Sequence, residues 1–173
     1  TVEMRWENRD RRPTSPLDYA VGVLAFDTAD GQPIATLVNF ACHPVVLGPG
    51  NLGFSADYPG AMMAMVDERV GGQTMFIQGA AGDINPFWDK TPLDEGAFEQ
   101  VQRMGEALAR EVVRVRADIT GYEETVWISH HQEVLPVATR WDVDEPEVRE
   151  RIRADYLARY ERERDAEINT LLF

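Results

Sequence analysis

Cysteine, lysine and histidine are scarce in this 173-residue sequence: one cysteine, Cys42, one lysine, Lys90, and three histidines, His43, His130 and His131. A single cysteine excludes an internal disulfide framework and any multi-thiolate metal site. Two of the three histidines are adjacent, and neighbours on a strand point to opposite faces. His130 and His131 therefore do not converge on one metal, and they read as ordinary strand residues. A zinc site of three histidines is excluded within these residues. Basic residues number 17 against 30 acidic ones, a net charge of −13, so the basic face that a nucleic acid requires is missing. No apolar run is long enough to span a bilayer. The opening Thr1-Val2-Glu3-Met4-Arg5-Trp6 lacks both a start methionine and the basic-then-apolar order of a secretory signal. With the abrupt apolar ending Leu171-Leu172-Phe173, this reads as a piece of a longer polypeptide.

What is present suits a globular α/β chain: the apolar share of 44% and charged share of 27% are those of a protein with one hydrophobic core. Residues 1–18 carry Arg9, Arg11, Arg12, Pro13 and Pro16 and read as an irregular approach. Residues 19–138 form the core. Val21 to Phe26 is a predicted strand, Asp30-Gly31 a hairpin turn, and Pro33 to Ala41 a returning strand apolar enough to be buried on both faces. His43-Pro44 marks its exit, because a residue before proline is pushed out of helical conformation. Residues 47–58 are glycine-rich. Pro59 then suits the first position of a helix capped by Asp57 or Tyr58, with Met62, Met65 and Val66 on one face and Gly71-Gly72 as its end. Thr74 to Ile77 is a short strand. Phe98, Val101, Met104, Leu108, Val112 and Val115 recur at helical spacing. Residues 122–138 read as extended, and 145–173 as a helical tail with a solvated, charged surface.

Two blocks carry the chemistry. Asn39-Phe40-Ala41-Cys42-His43-Pro44 and Gly79-Ala80-Ala81-Gly82-Asp83-Ile84-Asn85-Pro86 each follow an apolar strand and break into glycine, proline and polar residues. In an α/β protein that is where the backbone leaves the sheet and presents side chains to a ligand. His43 can ligate zinc through one ring nitrogen while an acceptor fixes the other; the plain alternative is a core histidine satisfied by a carbonyl. Small residues in the 79–86 loop let backbone N–H groups approach a substrate oxygen, and Asp83 can orient a histidine or a water. The alternative there is a tight turn in which Asp83 bonds its own backbone. The lysine and hydroxyl residue of a P-loop are missing from it. Asp57 is a ligand, a base or a helix cap, the last being favoured. Cys42 reads as a small buried apolar residue rather than a nucleophile.

In order and spacing, Asn8-Arg9, the Asn39-to-His43-Pro44 block, Ser55-Ala56-Asp57-Tyr58-Pro59-Gly60 and the block from Phe76 to Pro86 resemble the N-terminal catalytic domain of neutral/alkaline, non-lysosomal ceramidases. The resemblance spans roughly residues 8–137. It implies an α/β fold with a mixed, largely buried sheet and flanking helices, as a fragment of a larger catalytic domain. It also implies a zinc-dependent amidohydrolase that cleaves the N-acyl amide of ceramide or a related lipid amide. His43 takes the place of a zinc ligand, the remaining ligands being a histidine, a glutamate and a tyrosine outside this chain. Gly82, Asp83 and Asn85 take the catalytic loop, Asn85 standing where the family pattern has a serine. Asparagine cannot be a nucleophile, but it can donate a hydrogen bond to an oxyanion. Arg9 and Asp57 are the implied substrate contacts. The implied partners are a lipid amide or other small molecule, a membrane surface that presents it, and the rest of the parent polypeptide, in a secreted or cell-surface setting. A related metallohydrolase on another amide or ester, and a non-catalytic binding domain, are the rival expectations.

Overall fold

The computed structural model describes residues 17–82, 84–138, 142 and 144–171, with side chains as far as residue 158. Arg9 and Asp83 lie outside the described residues. In chain order the elements are β1 (Gly22–Asp27), β2 (Pro33–Phe40), α1 (Asp57–Val70), β3 (Gln73–Gln78), α2 (Ala97–Ala117) and α3 (Pro146–Leu171), with a 3-10 turn at Leu93–Glu95. They divide into two units, one ending at Val126 and the other beginning at Trp127.

The first unit is built on a mixed three-stranded sheet in the order β1-β2-β3. β1 and β2 form the expected hairpin, closed by Thr28 and Gln32 around Gly31 at φ 81°. β3 runs parallel to β2, pairing Thr36 with Thr74 and Val38 with Phe76, and α1 makes the crossover that parallel neighbours require. α1 ends at Gly71, whose positive φ of 87° suits a residue without a Cβ. Gly72 follows at φ 71°, where a Cβ would meet the Ile34 carbonyl oxygen at 2.7 Å.

One face of this sheet is buried. Val38 packs there with Tyr58, Met62 and Val66 of α1 and with Val101, Leu108 and Val112 of α2. The helices touch closely because Gly105 leaves no side chain between them; a Cβ there would stand 2.5 Å from that of Ala61 and 2.9 Å from the Met62 nitrogen. The other face carries Leu24, Leu37 and Met75 in one cross-strand row, with Phe26 and Ile77 beside it. Leu24, Phe26, Met75 and Ile77 are exposed there. β2 is thus buried on one face rather than both. The helices of the first unit lie on the Val38 side, and its described residues supply no second layer.

Elsewhere the pattern departs in detail. Phe98, expected on the buried stripe of α2, is exposed. Residues 122–138 form neither helix nor strand, and their side chains are exposed. In the second unit, the described surface of α3 is almost wholly exposed, as its charge pattern requires. Among the described residues no helix is long and apolar enough to cross a membrane.

Candidate functional site

β2 and β3 are parallel neighbours, so their C-terminal ends deliver the His43 segment and the 79–86 loop to the same edge of the sheet. The backbone stitches the two together. Gly79 N–H donates to the Phe40 carbonyl at 2.9 Å, and His43 N–H donates to the Ile84 carbonyl at 2.9 Å. The loop closes on itself where Ile84 N–H donates to the Ala81 carbonyl. Contact is tight at its start: a Cβ on Gly79 would lie 3.0 Å from Cα and Cβ of Ala41. Gly82 has open space around it, so an approaching group would meet bare backbone there.

The His43 ring sits with Nδ1 3.3 Å from the same Ile84 carbonyl oxygen. A carbonyl can only accept, so Nδ1 carries the proton in that contact, and in the neutral ring Nε2 keeps a lone pair. This is the orientation in which a histidine serves as a metal ligand or a base. Cys42, next to it, is 3% exposed, and burial pushes its thiol up to about 11, the opposite of an activated nucleophile.

Asn85 directs its amide nitrogen at the Asp89 carboxylate, 3.3 Å away, and Asp89 also receives Lys90 Nζ at 2.8 Å. A carboxamide has two N–H donors, so this contact orients the group without exhausting it. Asp89 is a partner that sequence reasoning missed; its signal was its position four residues after Asn85, beside the lone lysine.

Asp57 does something other than cap α1. The cap position falls at Ala56, with no side-chain cap bond. The Asp57 carboxylate instead accepts N–H bonds from Tyr58 at 2.7 Å, Leu47 at 2.9 Å and Val46 at 3.3 Å. At 6% exposure, a substrate would reach it only by displacing those donors. Its φ of 52° is in the left-handed region, which aspartate tolerates better than most residues. Tyr58 adds a second tie that was not foreseen: its buried hydroxyl donates to the Cys42 carbonyl at 2.6 Å. The start of α1 is thereby clamped to the residue before His43.

The structure thus brings together His43, Gly82 and Asn85 on two stitched loops, with Asp57 holding Val46 and Leu47 of the segment that follows His43. Among the described residues there is no group of three or more His, Cys, Asp or Glu side chains able to hold a metal ion. His43 is one ligand candidate with a suitably oriented ring, and it does not make a site without ligands from elsewhere.

No family model and no curated protein matches the sequence. A solved structure described as "Ceramidase complexed with C2" matches 63% of this chain with a TM-score of 0.53 at 20% identity. The match covers 19% of that longer chain, so this chain spans about a fifth of the protein it resembles. At that identity the comparison speaks to the fold: the chain has a ceramidase-like α/β fold, in which a mixed three-stranded sheet with flanking helices forms part of a larger architecture.

Proposed function

We propose that the chain is part of a hydrolase of the ceramidase kind, which cleaves the N-acyl amide of ceramide or a related lipid amide to a fatty acid and an amine. The observation that carries this reading is the pairing of His43 with the 79–86 loop through Ile84, at one sheet edge of a ceramidase-like fold. A histidine with a fixed tautomer and a small-residue loop with approachable amides are what acyl transfer needs on either side of a carbonyl.

In this proposal each residue of the chain has a limited task. His43 presents Nε2 to the reacting centre, as one zinc ligand of a set completed from outside the described residues; zinc, when bound, supplies an activated water. Gly79 and Ile84 use their N–H groups to hold the loop, and Gly82, with open space around it, offers its amide to an oxyanion. The second N–H of Asn85 adds a donor there. Asn85, in place of a serine, favours attack by water over a covalent acyl-enzyme. Asp83 and Arg9 keep their proposed roles in orienting the site and contacting substrate. Asp57 acts on substrate only through the 45–47 segment that it holds. A lipid substrate would be met at a membrane surface, outside the cytoplasm.

The test is hydrolysis of N-acyl amides by the natural protein in full, wild type beside His43→Ala and Asn85→Ala, with zinc content measured on each. Loss of at least about a hundredfold in kcat/KM for His43→Ala, with loss of metal, is the expected result. Zinc and turnover unchanged by His43→Ala would remove His43 from the site, and no turnover of N-acyl amides by the wild type would end the hydrolase reading and leave a binding domain in its place.

A further inference from the structure

The peptide unit between Cys42 and His43 is pinned at both of its polar ends by other parts of the fold. Its carbonyl, on Cys42, accepts the Tyr58 hydroxyl at 2.6 Å, and its N–H, on His43, donates to the Ile84 carbonyl at 2.9 Å. A peptide unit is planar, so fixing both ends fixes the direction in which the chain enters His43. On the other side of His43 the next unit ends in Pro44, which locks its own φ and has no N–H. The carbonyl of that unit, on His43, accepts Val45 N–H at 3.0 Å. The backbone is therefore held before and after the ring. The His43 N–H and Nδ1 both point at the one Ile84 oxygen. A tilt of the Cys42–His43 unit would draw both donors off it.

Tyr58 opposes that tilt from a rigid base. It lies in the first turn of α1, and its own N–H is taken by the Asp57 carboxylate at 2.7 Å. Its ring is fully buried in the cluster that holds Val38, Met62 and Val66. There it meets the Phe76 ring of β3 edge to face, with centroids 6.0 Å apart. A phenylalanine would supply the same packing, so the hydroxyl is what a tyrosine adds at this place. Cys42 is 3% exposed, which leaves little room for water to take over the bond to its carbonyl.

We propose that Tyr58 is a positioning residue for His43: its hydroxyl, acting through the Cys42–His43 peptide unit, sets the orientation in which the imidazole presents Nε2. The orientation rests on this geometry, and the use made of Nε2 rests on the hydrolase reading.

The experiment uses the natural protein in full, with its histidines labelled by the heavy nitrogen isotope, and compares wild type with Tyr58→Phe. Val112→Ala, at a fully buried residue of α2, is the control for lost core stability. The His43 ring signals are those that vanish in His43→Ala. They are read in chelator-treated protein at about pH 8, where an ordinary imidazole is neutral. Wild type is expected to show one tautomer, protonated at Nδ1 with slow exchange, and Tyr58→Phe a mixture of both. Zinc binding by Tyr58→Phe is expected to weaken by about tenfold or more, and kcat to fall with KM little changed. Val112→Ala is expected to keep the wild-type tautomer, zinc affinity and kcat. A His43 tautomer and zinc affinity in Tyr58→Phe equal to those of Val112→Ala overturn the proposal. So does a wild-type ring without the slow Nδ1 proton, whatever the variants do. A tautomer that responds to Tyr58→Phe in a protein without turnover supports the role of Tyr58 and ends the hydrolase reading. Turnover in the wild type, with ring signals and rate in Tyr58→Phe matching the control, does the reverse.

Discussion

Asp57 shows how one side chain can organise a loop while appearing, in sequence, to do something else. It precedes a helix that contains Pro59, and on that pattern alone it is a cap. The carboxylate instead accepts three backbone N–H bonds, two of them from residues ten and eleven positions back. Removing it leaves buried donors without acceptors, at about 1–3 kcal/mol for each fully stranded group. It also replaces a residue tolerant of positive φ with one that is not. Asp57→Ala is therefore expected to lower unfolding stability by about 2–4 kcal/mol. Asp57→Asn, which keeps one oxygen and the backbone preference, should lose about half as much. Denaturant unfolding of the three proteins checks the order. Equal stability of Asp57→Ala and wild type would mean that the 45–47 segment does not depend on this carboxylate.

At the scale of elements the sheet has two unlike faces, and two methionines sample them. Met62 of α1 is fully buried against the Val38 side, whereas Met75 of β3 is 46% exposed on the other. Met62→Ala is expected to destabilise by about 2–5 kcal/mol, the usual range for a buried methionine. Met75→Ala should change stability by less than about 1 kcal/mol, because much of its side chain is in water before and after folding. Urea midpoints at constant m value give both numbers. Near-equal losses would show that the Leu24–Leu37–Met75 row is covered in solution, by another copy or another layer. This is also where sequence reading reached its limit. Strand β2, the hairpin turn and the buried stripe of α2 were legible, because an apolar run, Asp30-Gly31 and a 3.6-residue period are local signals. Burial of β2 on both faces was not decidable from composition: an apolar run says that a strand can be covered twice, and only its neighbours decide whether it is. The extended run 122–138 raised the same difficulty. It read as extended, and the described segment forms no ladder.

Across the whole molecule, the candidate site was legible in its parts and illegible in its wiring. His43 and the 79–86 loop stood out because each ends an apolar strand in small and polar residues. That Ile84 would serve both the backbone and the ring of His43 depends on parallel pairing of strands some forty residues apart, which no local pattern encodes. Neither did any pattern give the Tyr58 bond to Cys42, which lies at the centre of the fold and links its stability to pH. Burial pushes the Cys42 thiol up to about 11 from 9.0, and burial also raises the Tyr58 phenol above its usual 10.0. Below about pH 8 both groups are protonated whether the chain is folded or not, and they add no pH dependence. As pH rises from 9 toward 11, the unfolded chain releases the thiol proton while the folded chain retains it, so stability falls, and the phenol adds a loss of the same sign above 10. The acid limb has the opposite origin. The Tyr122 hydroxyl, and after it Arg116, hold the Asp27 carboxyl below 3.8, so the stability it contributes is present above that value and is lost as pH falls through its lower folded value. The expected profile is a plateau between these limbs. Cys42→Ala should flatten the alkaline limb between about pH 9 and 10 without moving the acid one. Urea midpoints across that range, with iodoacetamide labelling of the folded and unfolded chain, decide the matter: slow labelling only when folded, together with a flattened limb in Cys42→Ala, identifies the thiol as the group. An alkaline limb identical in the two proteins would assign the loss to the phenols, Tyr58 raised by burial and Tyr122 raised by its hydrogen bond to Asp27.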